Sequence, residues 1–449
     1  MPAEPRHSAV LFPSAGHAAP DPVQVSARSQ TPAAPRHSVP TATNAIPAAN
    51  FPTLGQDLNY VVPSTTTPIV LEKVERQKLP RKSATRGDAE EAQPKLEEVR
   101  LTVEQIDGKF RFSALTETAI VPVREVSINT AFVTGAAKRL MESSTSDEQQ
   151  KYGELLYTCL VPEDFHALID SGKPLKLILD RTTASYPWEM ACFRGTQDTN
   201  RLSNLGVDLR VTRQFRSTLS NAPGLQPPLN LSLKVLVIAD PAQEPDYQLP
   251  GARLEGREVA NVFRNFPARS HGMVIEVVER IGPHQCDPVE ILALLLSGEF
   301  DIVHFAGHGN YNRADPKASG WIFGKEWVLT ANEIFRSRKV PRLVFANACF
   351  SAVTTAGETL TEDEQAQGLA SIAEAFFARG VSNYVGSGWP VNDEQATKLA
   401  KSFYQELLAG RAICDALRDA RAGITDYGST WGAYQHYGNA TDVVVRKKL

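Results

Sequence analysis

A mostly parallel α/β sheet flanked by helices is the fold this sequence predicts, on three observations. Short, near-continuous apolar runs recur from Leu233 onward, as in LKVLVIADP, FDIVHFAG and RLVFANA. Strands that are apolar on both faces belong to a sheet covered on both sides, the usual condition of parallel sheets. Segments of helical length separate them, so that strand and helix alternate. The chain, at 449 residues of which 42% are hydrophobic, is also long enough to bury such a core.

In chain order, residues 1–95 read first as a disordered tail. They hold 14 of the 30 prolines, with many Ala, Ser and Thr, and cannot bury enough apolar surface to offset the entropy of ordering them. PRHS occurs at Pro5–Ser8 and again at Pro35–Ser38, an echo of biased composition. The basic run Lys73–Arg86 reads as solvated linker.

A smaller α+β region follows over 96–150. Apolar and polar residues alternate from Val99 to Leu115 around Asp107-Gly108, which predicts a β-hairpin. Asn129 to Glu142 predicts a helix.

Residues 151–449 form the main domain. Leu175, Leu177 and Leu179 alternate as in a strand, and Val207 to Val211 predicts another. Beyond Leu233 come a helix around Ala252 to Phe263, the strand Met273 to Glu279 and the helix Pro288 to Ser297. Phe300 to Gly307, Arg342 to Ala348 and Asn383 to Gly388 predict three buried strands. Helices are predicted over Gly368 to Ala378, Glu394 to Ala409 and Cys414 to Ala422.

Composition narrows the class of function. A net charge of -4 supplies no general attraction to nucleic acid or to a membrane surface. The longest apolar run, Ile291 to Leu296, is too short to span a bilayer, and prolines at positions 2, 5 and 13 interrupt any secretory leader. Five widely spaced cysteines, with no paired C-x-x-C, argue against a disulfide framework or a zinc site and for a reducing, cytoplasmic setting. No cofactor is expected.

In parallel sheets, functional groups gather beyond the carboxyl ends of strands. FDIVHFAGHG ends in His308 between two glycines, which permit a sharp turn and close approach of a ligand. RLVFANAC ends in Cys349, 41 residues later, one strand-crossover-strand unit. An imidazole beside a thiol raises its thiolate fraction or takes its proton during attack. Taken singly, Cys349 after an apolar strand also reads as buried packing, and His308 as structural. His304, four residues earlier, lacks the glutamate and the helix of a zinc motif and reads as packing.

The ordered set CLVPEDF, LILDRTTASYPWEM, VLVIADP, LPGARLEGREVANVF, HFAGHG, FANACFS and GLASIAEAFFARGVSNYVGSGWPVND, with the later AKSFYQELLAG and ALRDAR, closely resembles the CHAT family. CHAT proteins are relatives of caspases and separase in the clan CD cysteine peptidases. The resemblance covers about residues 150–449. It implies a caspase-like sheet, with the catalytic part over about 230–449, and His308 and Cys349 as the dyad of a cysteine endopeptidase. It further implies an oxyanion hole from the backbone N–H groups of Gly309 and Cys349. A substrate would lie extended along the segment after Asn383–Gly388, pairing with Ser387 to Trp389. Ser351 stands where caspases place a glycine, and the acidic stretch Ser351–Gln367 reads equally as a simple exposed loop or as the segment that in relatives is mobile and sometimes cleaved or rearranged on activation.

Asp393 matches the acidic residue with which separase-like relatives receive arginine, which would direct cleavage after Arg or Lys. Asn392 or Asp393 is equally suited to cap the helix from Glu394, and one residue could do both. An aspartate preference would instead need arginines such as Arg313. Trp431, Tyr434 and Tyr437 read as core. By resemblance, the substrate is a protein, gasdermin-like or another effector. An activating partner or signal relieves latency, and the setting is bacterial defence or regulated cell death. A non-catalytic scaffold of the same fold is the competing reading. A nucleotide-binding domain is disfavoured, because PAQEPDYQLPG after LKVLVIAD lacks a G-x-G-x-x-G.

Overall fold

The computed structural model describes residues 98–446, apart from 117–119, 196–201, 217–228, 230–231, 269–271, 313–314, 316–317, 335, 337–339, 350–368, 370–371, 378–379 and 427. The chain divides into residues 1–89 and 90–449, and all described residues belong to the second unit. The tail, the basic run, Arg313, Ser351 and the acidic stretch lie outside the described residues.

The first half of the described chain builds around the predicted hairpin. β1 (Val99–Ile106) and β2 (Lys109–Leu115) pair antiparallel. Asp107 and Gly108 both adopt positive φ, 50° and 75°, as a two-residue turn between right-twisted strands demands. β3 (Ile120–Val126) adds to β2. Helix α1 (Thr130–Met141) starts where the Asn129 side chain accepts the Ala131 N–H, and Thr145 caps α2 (Ser146–Leu160) likewise. β4 (Leu175–Leu179) runs parallel to β1, and β5 (Cys192–Arg194) and β6 (Leu202–Asn204) form a separate pair.

The strand expected over Val207–Val211 lies further on. Residues Leu205–Asp208 form a helical turn, and β7 spans Val211–Phe215. Asp208 accepts the Asn204 N–H at 2.7 Å, which stabilises the turn. The inward positions needed to pair with β4 begin only at Val211.

The second half alternates as predicted. β8 (Ser232–Ala239) leads to α3 (Pro250–Asn265), β9 (Val274–Ile281) and α4 (Pro288–Ser297). β10 (Ile302–Asn310) is followed by the hairpin β11 (Gly320–Gly324) and β12 (Trp327–Thr330), then β13 (Leu343–Cys349). β14 (Asn383–Ser387), α5 (Asp393–Leu408), α6 (Ile413–Ala422) and β15 (Tyr434–Tyr437) complete it. Residues 372–377 are helical within the predicted helix that follows β13.

β10 continues three residues past its expected end, and this overturns the sharp turn expected around His308. Gly307 and Gly309 lie inside the strand. Gly307 is required by packing instead: a Cβ there would stand 2.9 Å from Cζ of Phe305 and 3.2 Å from Cδ of Pro241.

Among the described residues these strands make one 13-stranded sheet and the separate β5-β6 pair. Strands β9, β8, β10, β13 and β14 are parallel, in that spatial order. β15 runs antiparallel to β14 and parallel to β7, β4 and β1, so two parallel blocks point in opposite directions. The join between blocks is narrow, since β15 and β7 share one ladder pair, Tyr437 with Arg213. Beneath it Glu189 is fully buried with Arg213, and Arg421 lies 3.8 Å from the same carboxylate. Trp431, Tyr434 and Tyr437 are core residues here, as expected. Among the described residues no helix is long and apolar enough to cross a membrane.

Candidate active site

Connectivity alone selects one place in the first parallel block. The chain moves outward from β8 to β9, then returns to set β10 on the other side of β8. Strand order reverses there, which is where open parallel sheets generally gather their functional groups. Asp240 follows β8 at this edge, and His308 lies near the end of β10.

β13 lies on the other side of β10, and the ladder pairs His304 with Phe345, Ala306 with Asn347 and His308 with Cys349. Paired positions of a parallel ladder share a face of the sheet. His308 and Cys349 are therefore paired register positions at the carboxyl edge. Gly309 is buried and pairs with Trp321 of β11.

His308 is half-buried. Burial holds its pKa below the ordinary 6.5, opposed by a hydrogen bond to the Tyr247 backbone and by the charge of Asp240. A depressed pKa leaves the imidazole neutral and able to take a proton at neutral pH.

Four residues earlier on β10 and on the same face, His304 is fully buried and belongs to a polar network. Its Nδ1 lies 3.2 Å from the Tyr404 hydroxyl, and its Nε2 lies 3.2 Å from Glu255 Oε1, off the axis of a hydrogen bond. Asn347, two residues before Cys349, donates to Glu255 Oε2 at 2.7 Å. Helix α3 is thereby tied to β13.

Asp393 faces the start of α3 from the other side. Asn392 caps α5 by accepting the N–H groups of Glu394 and Gln395, and Asp393 is its first helical residue. The cap is thus Asn392, which leaves the Asp393 side chain to other uses. A Cβ on Gly251 would stand 2.0 Å from Oδ2 of Asp393, so the carboxylate rests on the bare backbone of α3. Burial, then the charge of Glu255, raise the pKa of Asp393 above the usual 3.8.

Ser387 and Trp389 are buried side chains. Ser387 pairs with Tyr434 of β15, and Gly388 donates to the Ala433 carbonyl at 2.8 Å. Contact with a substrate here would therefore come from backbone on the β13 side, where the ladder ends at Ala346 and Gly386.

Sequence reasoning missed Asp240, Tyr247, Gly251 and Glu255. Glu255 and Gly251 carry a faint signal, a charged residue and a glycine on the apolar face of an amphipathic helix. Tyr247 carries none.

A family model described as CHAT domain matches residues 150–439. No curated protein matches the chain in sequence. Among solved structures, the Saccharomyces cerevisiae separase–securin complex is similar at TM-score 0.44 and 11% identity. The match covers 76% of this chain and 30% of that one. The complex of the Porphyromonas gingivalis RgpB pro- and mature domains gives a TM-score of 0.36 at 10% identity, over 67% of this chain and 70% of that one. The Drosophila initiator caspase Dronc gives 0.30 at 10% identity, over 51% and 87%.

Proposed function

The chain belongs to the CHAT domain family, and from that premise we propose that it is a cysteine endopeptidase with Cys349 as nucleophile and His308 as general base. The observation that supports this most directly is the shared register position of the two residues at the carboxyl edge.

In this reading the imidazole takes the thiol proton as sulfur attacks the scissile carbonyl carbon. The oxyanion accepts hydrogen bonds from the N–H groups of Gly309 and Cys349. Collapse breaks the C–N bond, and His308 returns its proton to the leaving amine. Water, deprotonated by the same imidazole, then cleaves the thioester and restores the thiol.

Asp393 receives a basic side chain before the scissile bond, so cleavage follows Arg or Lys. Its support is a carboxylate resting at the start of α3 that is not spent on the helix cap. The substrate lies extended along Ser387 to Trp389, bonding through backbone. On family resemblance alone, we place the enzyme in bacterial defence or regulated cell death, latent until a partner or signal binds, with a gasdermin-like or other effector protein as substrate.

The deciding experiment exposes wild type and Cys349→Ala to a peptide library and sequences the product termini. Cleavage after Arg or Lys by wild type only is the expected result. Equal cleavage by both would remove the peptidase assignment and leave a binding scaffold.

A further inference from the structure

We propose that Tyr247 is a positioning residue for His308, held in place by a loop that Asp240 pins; this rests on the reading of His308 as the base. The loop begins where β8 ends. Asp240 is buried and has φ 48°, a left-handed conformation that costs a non-glycine residue energy and persists only when its surroundings enforce it. Its backbone N–H donates to the Ala306 carbonyl of β10 at 2.8 Å. One carboxylate oxygen accepts the Leu249 N–H at 2.7 Å, and the other accepts from the Arg253 guanidinium. Strain, backbone bond and carboxylate bonds together close the loop from Asp240 to Leu249 on itself.

Tyr247 is carried on this loop. It ends the short turn Pro245–Tyr247, where its N–H donates to the Glu244 carbonyl at 3.0 Å. Its phenol ring then meets His308, standing at 90° to the imidazole with centroids 5.9 Å apart. This T-shaped arrangement is a favourable geometry for two rings. The ring limits rotation of the imidazole and keeps water from one side. Among the described residues the charge of Asp240, shared with Arg253, also bears on His308, and Cys349 holds the facing register position. Only the ring of Tyr247 meets the imidazole in this contact, so phenylalanine should replace it.

The test uses the full chain and two readouts. Proton NMR follows the titration of His308, assigned by the signal lost in His308→Ala, in a Cys349→Ala background that prevents self-cleavage. Steady-state kinetics with a cleaved peptide follow kcat and KM with Cys349 intact. Tyr247→Phe should leave both readouts within about twofold or its equivalent in pH. Tyr247→Ala, folded by circular dichroism, should raise the His308 midpoint toward 6.5 as water enters, and lower kcat about tenfold with little change in KM. An unchanged midpoint or an unchanged kcat in Tyr247→Ala overturns the proposal. If wild type cleaves nothing, the peptidase reading fails separately, and the NMR arm alone decides whether Tyr247 controls His308.

Discussion

Asp393, the first residue of α5, rests its carboxylate on the bare backbone of Gly251 in the first turn of α3, where a Cβ would stand 2.0 Å from Oδ2. Two helix starts are thus fitted together through one missing side chain. Gly251→Ala must push the carboxylate away, and Asp393→Asn must remove its charge. The expected result is a rise in KM for peptides with Arg before the cut, about tenfold for Gly251→Ala and about 100-fold for Asp393→Asn. Michaelis kinetics on matched Arg and neutral peptides check this, and an equal loss on both would sink a specificity role.

The same carboxyl titrates above its usual 3.8, because burial and Glu255 disfavour its charged form. Binding of a basic side chain requires the ionised form. As pH falls, KM for Arg peptides should therefore begin to rise at a higher pH than an ordinary aspartate would give. A KM profile flat down to pH 4 contradicts this.

His308 predicts a limb in the opposite parameter. Its pKa lies below 6.5 through burial, so the neutral base persists to lower pH than an unperturbed histidine would allow. The acidic limb of kcat should fall below pH 6.5, and His308→Ala should cost about 1,000-fold in kcat. A limb above pH 7 would require a different base.

Stability should respond to pH through His436, which is fully buried and accompanied by Asn383 at 2.9 Å. Burial first, then Arg421 and Lys176, push its pKa from 6.5 to about 3. Between those values the unfolded chain binds a proton that the folded chain does not. Stability is therefore complete above 6.5 and declines as pH falls toward 3, by at most about 1.4 kcal/mol per pH unit from this residue. Urea titrations of wild type and a folded His436→Gln across this window should show a shallower dependence in the variant.

The join between the two sheet blocks rests on Glu189, buried with Arg213 and near Arg421. Glu189→Ala leaves both guanidinium groups buried without a counter-charge. Such a loss costs about 3–5 kcal/mol, read as a fall in the denaturation midpoint. A change under 1 kcal/mol would mean that water enters and takes the role of the carboxylate.

Much of the sheet was legible because its signals are local. The apolar runs of β8, β10 and β13 exceed any amphipathic pattern, Asp107-Gly108 demands a two-residue turn, and Asn129 and Asp287 cap helices that start where expected. β3, β15 and the β11-β12 hairpin were not foreseen. β15 is a four-residue strand whose partners, Tyr384 and Arg213, lie 53 and 224 residues away in sequence. Pairing over such distances leaves little mark on the residues themselves. The start of β7 was misplaced for the same reason, since the register with β4 decides it.

By itself, then, the sequence determined the alternation of strand and helix, the two strand ends that carry His308 and Cys349, and the family that such an order resembles. Which neighbours those ends acquire was decided only in three dimensions. Tyr247 reaches His308 because Asp240 closes a loop, Asn392 rather than Asp393 caps α5, and Gly251 admits a carboxylate from a helix 142 residues away. Local propensity acts between residues near in sequence, whereas a site is made by packing, which joins residues only after the sheet has set their register.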